Sequence, residues 1–414
     1  MGSSGDCQVN VNCLEGNGWN NEKKAIALIL VNGNRYCTGS LVNTTANDLR
    51  PLFLTADHCL GGWANYDIKY DAVTNPNLNH YSFYWHYEHP ACSNSISEPP
   101  IYSTVGAMVI ANNSTTDFAL LRLTENPLYN PNITPYYLGW DRSGNPGTGG
   151  VGIHHPVGDV KKIATLNGNT NYDWNGNSNF WSHFWSQTTN GYSVTEGGSS
   201  GSPLINSNHH IIGQLYGGSN INCSNPALDI AAYGKFSTSW TGNGASDTRR
   251  RLDHWLDPVG TNPTTLNGIR MQFISGSTIV CTSNSTFALN NSIPSYAISW
   301  TRSSNLTYVS GQGTDNYTVK AVNSSTSGPG WVQATLNGPG GVVELPPKEV
   351  WVGKPYAPTS IMFMPYNPYV GGQSVDAFVS SNNPHQTNVT YQWDGGPHNL
   401  NPESIDWSSV SFKR

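Results

Sequence analysis

Charged residues are scarce in this chain. Asp, Glu, Lys and Arg make up 11% of its 414 residues, less than half of the ~25% that is usual for soluble domains. The net charge of −6 gives no basic footprint, which argues against a nucleic-acid-binding protein. No apolar run approaches the ~20 residues of a transmembrane helix. The one early apolar run, at residues 25–31, is typical of a buried strand instead.

The seven cysteines include no CxxC pair, which argues against a zinc ribbon or a thioredoxin-like site. The histidines show no HExxH spacing. We therefore expect neither a metal nor a cofactor. Six cysteines lie between Cys7 and Cys223, and Cys281 is left over. An even set is typical of disulfides and of an oxidising, extracellular compartment, although spacing alone leaves the pairing open.

What the sequence has in abundance is aromatic residues and turn formers. With 14 Trp, 21 Tyr and 43 Gly, it is too aromatic for a disordered chain. Residues 1–262 read as short apolar runs broken by Gly, Asn, Asp and Pro, which predicts a closed all-β architecture. The predicted strands lie at 25–31, 50–55, 81–87, 104–110, 118–123 and 210–216, and the only predicted helix lies at 247–257.

The most informative segment is a glycine-rich loop at residues 196–203, Glu-Gly-Gly-Ser-Ser-Gly-Ser-Pro. Glycines let a backbone turn sharply and come close to a ligand. A serine on such a turn can present its hydroxyl and its own N–H to one carbonyl, which is what a nucleophile with an oxyanion hole needs. Ser199, Ser200 and Ser202 are all candidates.

Two further segments supply the partners that a serine nucleophile needs, a base and a group that orients the base. His58 follows shortly after the apolar run at 51–55 and stands directly before Cys59, and Asp117 precedes the run at 118–123. A structural histidine beside a disulfide and an aspartate that caps a strand edge are the alternatives. The order His, Asp, Ser is that of chymotrypsin-like enzymes, not of subtilisins or α/β-hydrolases.

These residues carry a family resemblance. Thr-Ala-Asp-His-Cys at 55–59, Asp-Phe-Ala-Leu-Leu-Arg-Leu at 117–123 and Gly-Ser-Ser-Gly-Ser-Pro at 198–203 match the three signature blocks of chymotrypsin-like serine peptidases. Further motifs at 37–42, 139–142, 153–156 and 238–242 resemble the secreted bacterial lysyl endopeptidases. The resemblance covers residues 6 to about 260. It implies a double β-barrel with a C-terminal helix, a secreted serine endopeptidase, and protein or peptide substrates.

Carried over residue by residue, the resemblance assigns the catalytic roles. The family's nucleophile is followed by Gly, a small residue and Pro, which selects Ser200; His58 becomes the base and Asp117 its orienting group. Gly198 and Ser200 would supply the N–H groups of the oxyanion hole. Ser199 stands where chymotrypsin has an aspartate that pairs with a freed N-terminus, so we expect no such activation switch.

The resemblance also implies three disulfides, Cys7–Cys223, Cys13–Cys92 and Cys37–Cys59. The last of these would staple the loop that holds the base. Loss of a triad residue is usual in inert homologues, and all three are present here. A catalytically inert adhesin on a peptidase scaffold is therefore the weaker functional reading.

Substrate choice depends on the S1 pocket, which receives P1, the residue before the scissile bond. The family's acid would stand at Ala231, while Asp229 lies two residues earlier and so faces the same way along a strand. Asp229 in the pocket predicts cleavage after lysine; Asp229 on a surface loop leaves an apolar pocket that favours neutral or aromatic P1 residues. The other pocket residues implied are Val194, Thr195, Gly217, Tyr216 in place of a family histidine, and Trp174 packed against Tyr216.

The remainder of the chain predicts accessory β-modules. Residues 263–350 hold strand-like runs at 278–289, 296–301, 316–322 and 331–335, which indicate an immunoglobulin-like β-sandwich around Trp300. Residues 389–393 echo 296–300, which indicates a second module at 351–414. Because only about 20 residues follow 393, this module is expected to be incomplete; the alternative is that the repeat is not real. A surface, a glycan and a protein are equally compatible as ligands of this region, and we expect a monomer.

Overall fold

The computed structural model of the chain describes residues 2–62, 65–93, 97–170, 173–219, 222–354, 360–364, 374–380, 401–405 and 409–413. Strands dominate its regular structure, which confirms the all-β fold class. Two compact units divide the chain: Met1–Met271 with Gly338–Val343, and Gln272–Asn337 with Glu344–Arg414. Among the described residues no helix is long and apolar enough to cross a membrane.

A first barrel occupies the beginning of the first unit. Its strands are β1 (Ile26–Val31), β2 (Asn34–Leu41), β3 (Leu52–Ala56), β4 (Gly61–Gly62), β5 (Asn65–Lys69), β6 (Tyr81–Trp85), β7 (Tyr102–Val105), β8 (Ala107–Asn113) and β9 (Phe118–Leu123). Seven of them form an antiparallel sheet in the order β7–β6–β1–β2–β3–β9–β8, and β4 pairs with β5. The rings of Phe53, Phe83 and Trp85 meet edge-on in its core.

A second barrel follows in the same unit. Its strands are β10 (Tyr136–Tyr137), β11 (Gly139–Asp141), β12 (Thr148–His154), β13 (Lys162–Asn169), β14 (Phe180–Phe184), β15 (Pro203–Asn206), β16 (His210–Ser219), β17 (Ile230–Lys235), β18 (Thr265–Leu266) and β19 (Ile269–Arg270). Eight form one sheet, β13–β12–β15–β16–β11–β18, with β17 joining β16 to β14; β10 and β19 form a separate pair. Trp181, Trp185, Leu215 and Tyr233 are buried in its interior.

Glycine divides one predicted strand of the first barrel. The run at 104–110 was expected to be continuous, but β7 ends at Val105 and β8 begins at Ala107. Between them Gly106 adopts a φ of +80°, which is favourable only for glycine. The chain therefore leaves its pairing with β6 at this point and turns to pair with β9.

The predicted helix at 247–257 is interrupted. Thr248–Arg250 is a 3₁₀ turn, and the α-helix α2 covers only Asp253–Leu256. Arg250 explains the break, because its guanidinium bonds Asp71 and its carbonyl accepts from the Asn113 amide instead of continuing a helix. A helix that was not predicted, α1 (Phe236–Thr241), follows β17 and ends at Gly242. The other 3₁₀ turns are Leu14–Gly16, Glu22–Ala25, Asp57–Leu60, Pro127–Tyr129, Pro156–Gly158 and Pro226–Leu228.

Beyond residue 271 the chain continues as strands. They are β20 (Phe273–Ser275), β21 (Ile279–Val280), β22 (Ser285–Asn290), β23 (Ala297–Arg302), β24 (Leu306–Ser310), β25 (Asn316–Ala321), β26 (Ser327–Gly338), β27 (Gly341–Glu344), β28 (Lys348–Gly353), β29 (Ser360–Met364), β30 (Ser374–Ser380), β31 (Asn401–Ile405) and β32 (Ser409–Lys413).

Two sheets of the second unit face one another, β20–β22–β25–β24 and β21–β28–β26–β23. Trp300 on β23 is buried and stacks on Tyr317 of β25, with ring centroids 5.1 Å apart. The run at 278–289, predicted as one strand, is divided between the two sheets as β21 and β22. A third sheet has the order β29–β30–β32–β31. The predicted motif at 389–393 lies outside the described residues.

Candidate active site

His58 and Asp117 are brought together by strand register. His58 lies in the 3₁₀ turn that follows β3, and Asp117 lies directly before β9. The two strands are antiparallel, with Ala56 opposite Phe118, so the residue after one strand lies beside the residue before the other. Strand pairing therefore places the two motifs side by side, although they are far apart in the sequence.

Both carboxylate oxygens of Asp117 serve His58. Oδ2 lies 2.7 Å from the imidazole Nδ1, and Oδ1 accepts the backbone N–H of His58 at 2.9 Å. Burial raises the pKa of Asp117, while the bonds from His58 act in the opposite direction. With Nδ1–H held by the carboxylate, the lone pair at Nε2 is available to take a proton.

The three disulfides implied by the resemblance are all present: Cys7–Cys223, Cys13–Cys92 and Cys37–Cys59. Cys281 is an exposed free thiol. The sulfurs of Cys37 and Cys59 lie within 4.8 Å of a ring nitrogen of His58. Those sulfurs are bonded to each other, however, and metal binding by cysteine requires a thiolate. The bridge thus ties β2 to the turn that carries His58.

The loop at 196–202 uses its glycines for close backbone approach. Gly198 has a φ of +90°, and Gly201 one of +80°. A Cβ at Gly201 would lie 2.1 Å from Oγ1 of Thr55, so only glycine lets the loop reach β3. Within the described residues, neither the N–H of Gly198 nor that of Ser200 donates to an acceptor. These are the two donors expected to form an oxyanion hole.

Burial distinguishes the three serines of this loop. Ser199 and Ser202 are both fully buried, whereas Ser200 is half-buried. The Ser199 hydroxyl is already engaged, since it accepts the N–H of Glu196 at 3.1 Å and lies 2.8 Å from Nδ1 of His154. Ser200 is thus the serine of the three that a substrate can reach.

The aromatic residues around Tyr216 differ from the expectation. Tyr216 lies at a bulge in the pairing of β16 with β17, is 44% exposed and presents its ring edge-on to His58, 6.2 Å away. The ring packed against it belongs to Phe180, at 5.2 Å. Trp174 instead lies in a turn bridged to Asn177. Phe180 was missed because the register of β14 is not visible in the sequence.

Asp229 lies directly before β17 and is fully buried, which excludes the surface-loop alternative. Its Oδ2 accepts the N–H of Thr195 at 3.2 Å, and Oδ1 has no partner among the residues that are described. Burial raises the pKa of this carboxyl to about 7. Val194 and Ala231 are also fully buried, in the apolar cluster of the second barrel. Gly217 pairs with Ala232 on the adjacent strand.

His183 is a buried polar residue that sequence reasoning missed. It lies on β14 opposite Ala231, edge-on to Trp185 at 4.4 Å and stacked on Tyr233 at 5.5 Å. Burial lowers its pKa to about 3, so the ring is neutral. Neither ring nitrogen has a partner within the described part of the chain. The only signal was one histidine in the aromatic run at 180–185.

The sequence of this chain matches a known protein family and is similar to curated peptidases. The sequence model of the family "Lysyl endopeptidase, C-terminal domain" matches residues 1–234, more than half of the chain. A lysyl endopeptidase of Pseudomonas aeruginosa is 29% identical over 237 residues, which are 53% of this chain and 46% of the relative. The chain thus spans about half the length of that curated relative.

A solved structure, of a Glu endopeptidase in complex with MPD, has a TM-score of 0.33 and 19% identity to this chain. The match covers 57% of this chain and 92% of that one. The family match itself spans His58, Asp117, Ser200 and the candidate pocket residues up to Ala231. On this match, the chain belongs to the lysyl endopeptidase family, in the part described as its C-terminal domain.

Proposed function

We propose that the chain is a serine endopeptidase with Ser200 as nucleophile, His58 as general base and Asp117 as the group that orients the base. The observation that carries this proposal is the pair of Asp117 bonds to His58, one to the ring and one to the backbone. They fix both the tautomer and the position of the imidazole, which is the role of the carboxylate in a serine triad.

The reaction would proceed through an acyl-enzyme. Ser200 Oγ attacks the scissile carbonyl while its proton passes to Nε2 of His58, and the carbonyl oxygen becomes an oxyanion facing the N–H groups of Gly198 and Ser200. The intermediate then collapses, the C–N bond breaks and His58 gives its proton to the leaving amine. Water then attacks the carbonyl of the acyl-enzyme while His58 takes its proton. The Ser200 ester bond breaks, His58 returns the proton to Ser200 Oγ, and the acid product is released.

Cleavage after lysine is the P1 preference that we propose. Asp229 supports it, because a buried carboxylate with one oxygen lacking a partner is stabilised by a substrate ammonium. The curated relative of Pseudomonas aeruginosa is a lysyl endopeptidase, which agrees. The alternative is a pocket for neutral or aromatic side chains, lined by Val194, Ala231 and Tyr216.

Two measurements test this function. A fluorophosphonate should modify one serine of the folded protein, and peptide mapping should find the label on Ser200. Sequencing the products of a random peptide pool should then show lysine at P1. Failure of both cleavage and labelling would favour the inert adhesin, while cleavage after non-basic residues would overturn only the lysine assignment.

We further propose secretion to an extracellular location, which the three disulfides support, and a monomeric enzyme. Residues 263–350 would form an immunoglobulin-like accessory module and residues 351–414 a second one. The stacked pair of Trp300 and Tyr317 between two sheets supports a sandwich for the first. Size-exclusion chromatography and binding of the expressed region to glycan arrays and to proteins would test these proposals.

A further inference from the structure

Thr38, which follows Cys37 on β2, holds the nucleophile loop through two hydrogen bonds and bonds His155 through a third. Its N–H donates to the carbonyl of Ser200 at 2.8 Å, and its Oγ1 donates to the carbonyl of Gly198 at 2.8 Å. The same Oγ1 accepts the N–H of His155 at 3.0 Å. Because an N–H can only donate, the hydroxyl proton is committed to the Gly198 carbonyl. Thr38 itself is fully buried.

The peptide units of the loop are fixed by their carbonyls. Gly197 O accepts the N–H of Val157 at 2.5 Å, and Ser199 O accepts the N–H of Ser202 at 3.0 Å. In a planar trans peptide the N–H points away from the C=O of the same unit. The N–H groups of Gly198 and Ser200 therefore point away from these anchors. The peptide unit that joins Gly198 to Ser199 lies between these two units. Thr38 Oγ1 bonds its carbonyl, and its N–H, which belongs to Ser199, donates to the carbonyl of Glu196.

The side chain of Ser199 also restrains the nucleophile loop. Its Oγ accepts the N–H of Glu196, so its proton is directed to Nδ1 of His154, 2.8 Å away. His154 is fully buried, and desolvation lowers its pKa to about 3. The imidazole thus remains a neutral acceptor at any pH at which the enzyme would work. Two neutral side chains stand here where chymotrypsin has a charged pair.

We propose that Thr38 and the Ser199–His154 pair are positioning residues that keep the oxyanion hole of Gly198 and Ser200 assembled by neutral hydrogen bonds alone. The inference rests on the proposed serine-endopeptidase function. None of the three side chains touches the substrate in this account; Thr38 fixes the peptide unit between the two units that carry the donors, and the Ser199–His154 pair fixes the residue that joins them. Their loss should weaken binding of the oxyanion and leave binding of the ground-state substrate unchanged.

The test compares Thr38→Val, which keeps the shape but removes the hydroxyl, with Thr38→Ser, which keeps the hydroxyl. Removing an oxyanion donor outright costs about 10²–10³-fold in kcat, so misplacing the donors in Thr38→Val should cost roughly 10- to 100-fold. KM should not change. Thr38→Ser should restore kcat to within about threefold of wild type.

Two inhibitors separate positioning from mere stability. A tripeptide lysinal forms a tetrahedral adduct with the nucleophile, and the matching lysinol cannot. Thr38→Val should lose affinity for the aldehyde by the same factor as kcat and bind the alcohol like wild type. If the pool assay gives a neutral P1, norleucinal and norleucinol replace them. Thr104→Val is the matched control, since buried Thr104 bonds Trp85 Nε1 on a distant edge; it should keep wild-type kcat.

Each outcome decides the inference. Folded Thr38→Val with wild-type kcat and aldehyde affinity would overturn it, provided that the wild type cleaves peptides. If Thr38→Val does not fold, Ser199→Ala should show the same loss in kcat and aldehyde affinity, and wild-type values there would overturn the proposal equally. A wild-type protein that neither cleaves peptides nor takes up the fluorophosphonate would refute the proposed function instead.

Discussion

The two barrels of the first unit have different interiors. The first barrel contains aromatic and aliphatic side chains such as Phe53, Phe83 and Trp85, and its candidate catalytic residues, His58 and Asp117, lie at strand ends. Both barrels also bury polar side chains, but within the described residues most buried polar atoms without a partner lie in the second barrel, among them those of His183, Asp229 and the indole N–H of Trp185. Buried polar atoms without partners are costly, so they are expected where a ligand completes them. We infer that the first barrel carries the general base and that the second barrel binds the P1 side chain of the substrate.

The largest effect should come from the nucleophile on the second barrel. Ser200→Ala should reduce kcat by about 10⁶-fold with no change in the melting temperature, because the hydroxyl is half-buried and bonds no core group. Steady-state rates and thermal unfolding measure the two. Ser202→Ala is the competing variant, and a protein inactivated by it but not by Ser200→Ala would show that the register of the loop is wrong.

The corresponding change on the first barrel is Asp117→Asn. It keeps the shape of the side chain but cannot accept both the ring N–H and the backbone N–H as a carboxylate does, so His58 should adopt the unproductive tautomer. We expect a loss of about 10⁴-fold in kcat and little change in KM. Retention of more than a tenth of wild-type kcat would mean that the first barrel does not supply the orienting group.

The role of the second barrel in specificity is tested by Asp229→Asn. If Asp229 pairs with a substrate ammonium, the preference for lysine over norleucine at P1 should fall by about 10²–10³-fold, the range for a broken buried charge pair. Turnover of the norleucine substrate should remain close to wild type. A lysine preference that survives the substitution would place the specificity elsewhere.

The pH dependence of that preference is a sharper form of the same test. The pKa of Asp229 is raised to about 7, so at lower pH the carboxyl of the free enzyme is protonated and cannot pair with lysine. The ratio of kcat/KM for lysine to that for norleucine should rise as the pH increases through about 7 and then level off. Both substrates use the same triad, so its ionisation cancels in the ratio. A flat ratio in the wild type would contradict the prediction, and Asp229→Asn should give one.

The raised pKa of Asp229 also affects the stability of the fold, which should decrease with pH while the lysine preference increases. Because the folded state holds the Asp229 proton more tightly than the unfolded chain, the ionised carboxylate destabilises the fold as the pH rises toward and past 7. Asp229→Asn should therefore raise the melting temperature at pH 8.5 and leave it nearly unchanged at pH 4. Equal changes in melting temperature at the two pH values would show that the carboxyl of Asp229 is not buried in the free enzyme.

The smallest expected change concerns the first barrel alone. Replacing Cys37 and Cys59 together by alanine opens a loop with a sequence separation of 22 residues, which should cost about 3 kcal/mol in the chain-entropy model. Calorimetry should show a melting temperature lower by roughly 6–12 °C. An unchanged transition would mean that the barrel core holds the His58 turn without the bridge.

Short motifs determined much of this protein. The family resemblance follows from segments such as 55–59 and 198–203, because a nucleophile loop or a histidine before a cysteine is specified by a few adjacent residues. That resemblance in turn implied the disulfide pairing, and the all-β class followed from the short apolar runs broken by turn residues. Strand positions were also largely predictable, as for 118–123, which coincides with β9. The roles of His58, Asp117 and Ser200 remain predictions from those motifs.

Tertiary structure decided what depends on residues far apart in the chain. The burial of Asp229 beside Thr195, the packing of Phe180 rather than Trp174 on Tyr216, and the hold of Thr38 on Gly198 all arise between strands whose register no local pattern records. The helix predicted at 247–257 is interrupted because Arg250 bonds Asp71, which lies 179 residues away in the sequence. Sequence fixes which groups are available within a few residues, whereas packing and strand pairing determine which of them meet.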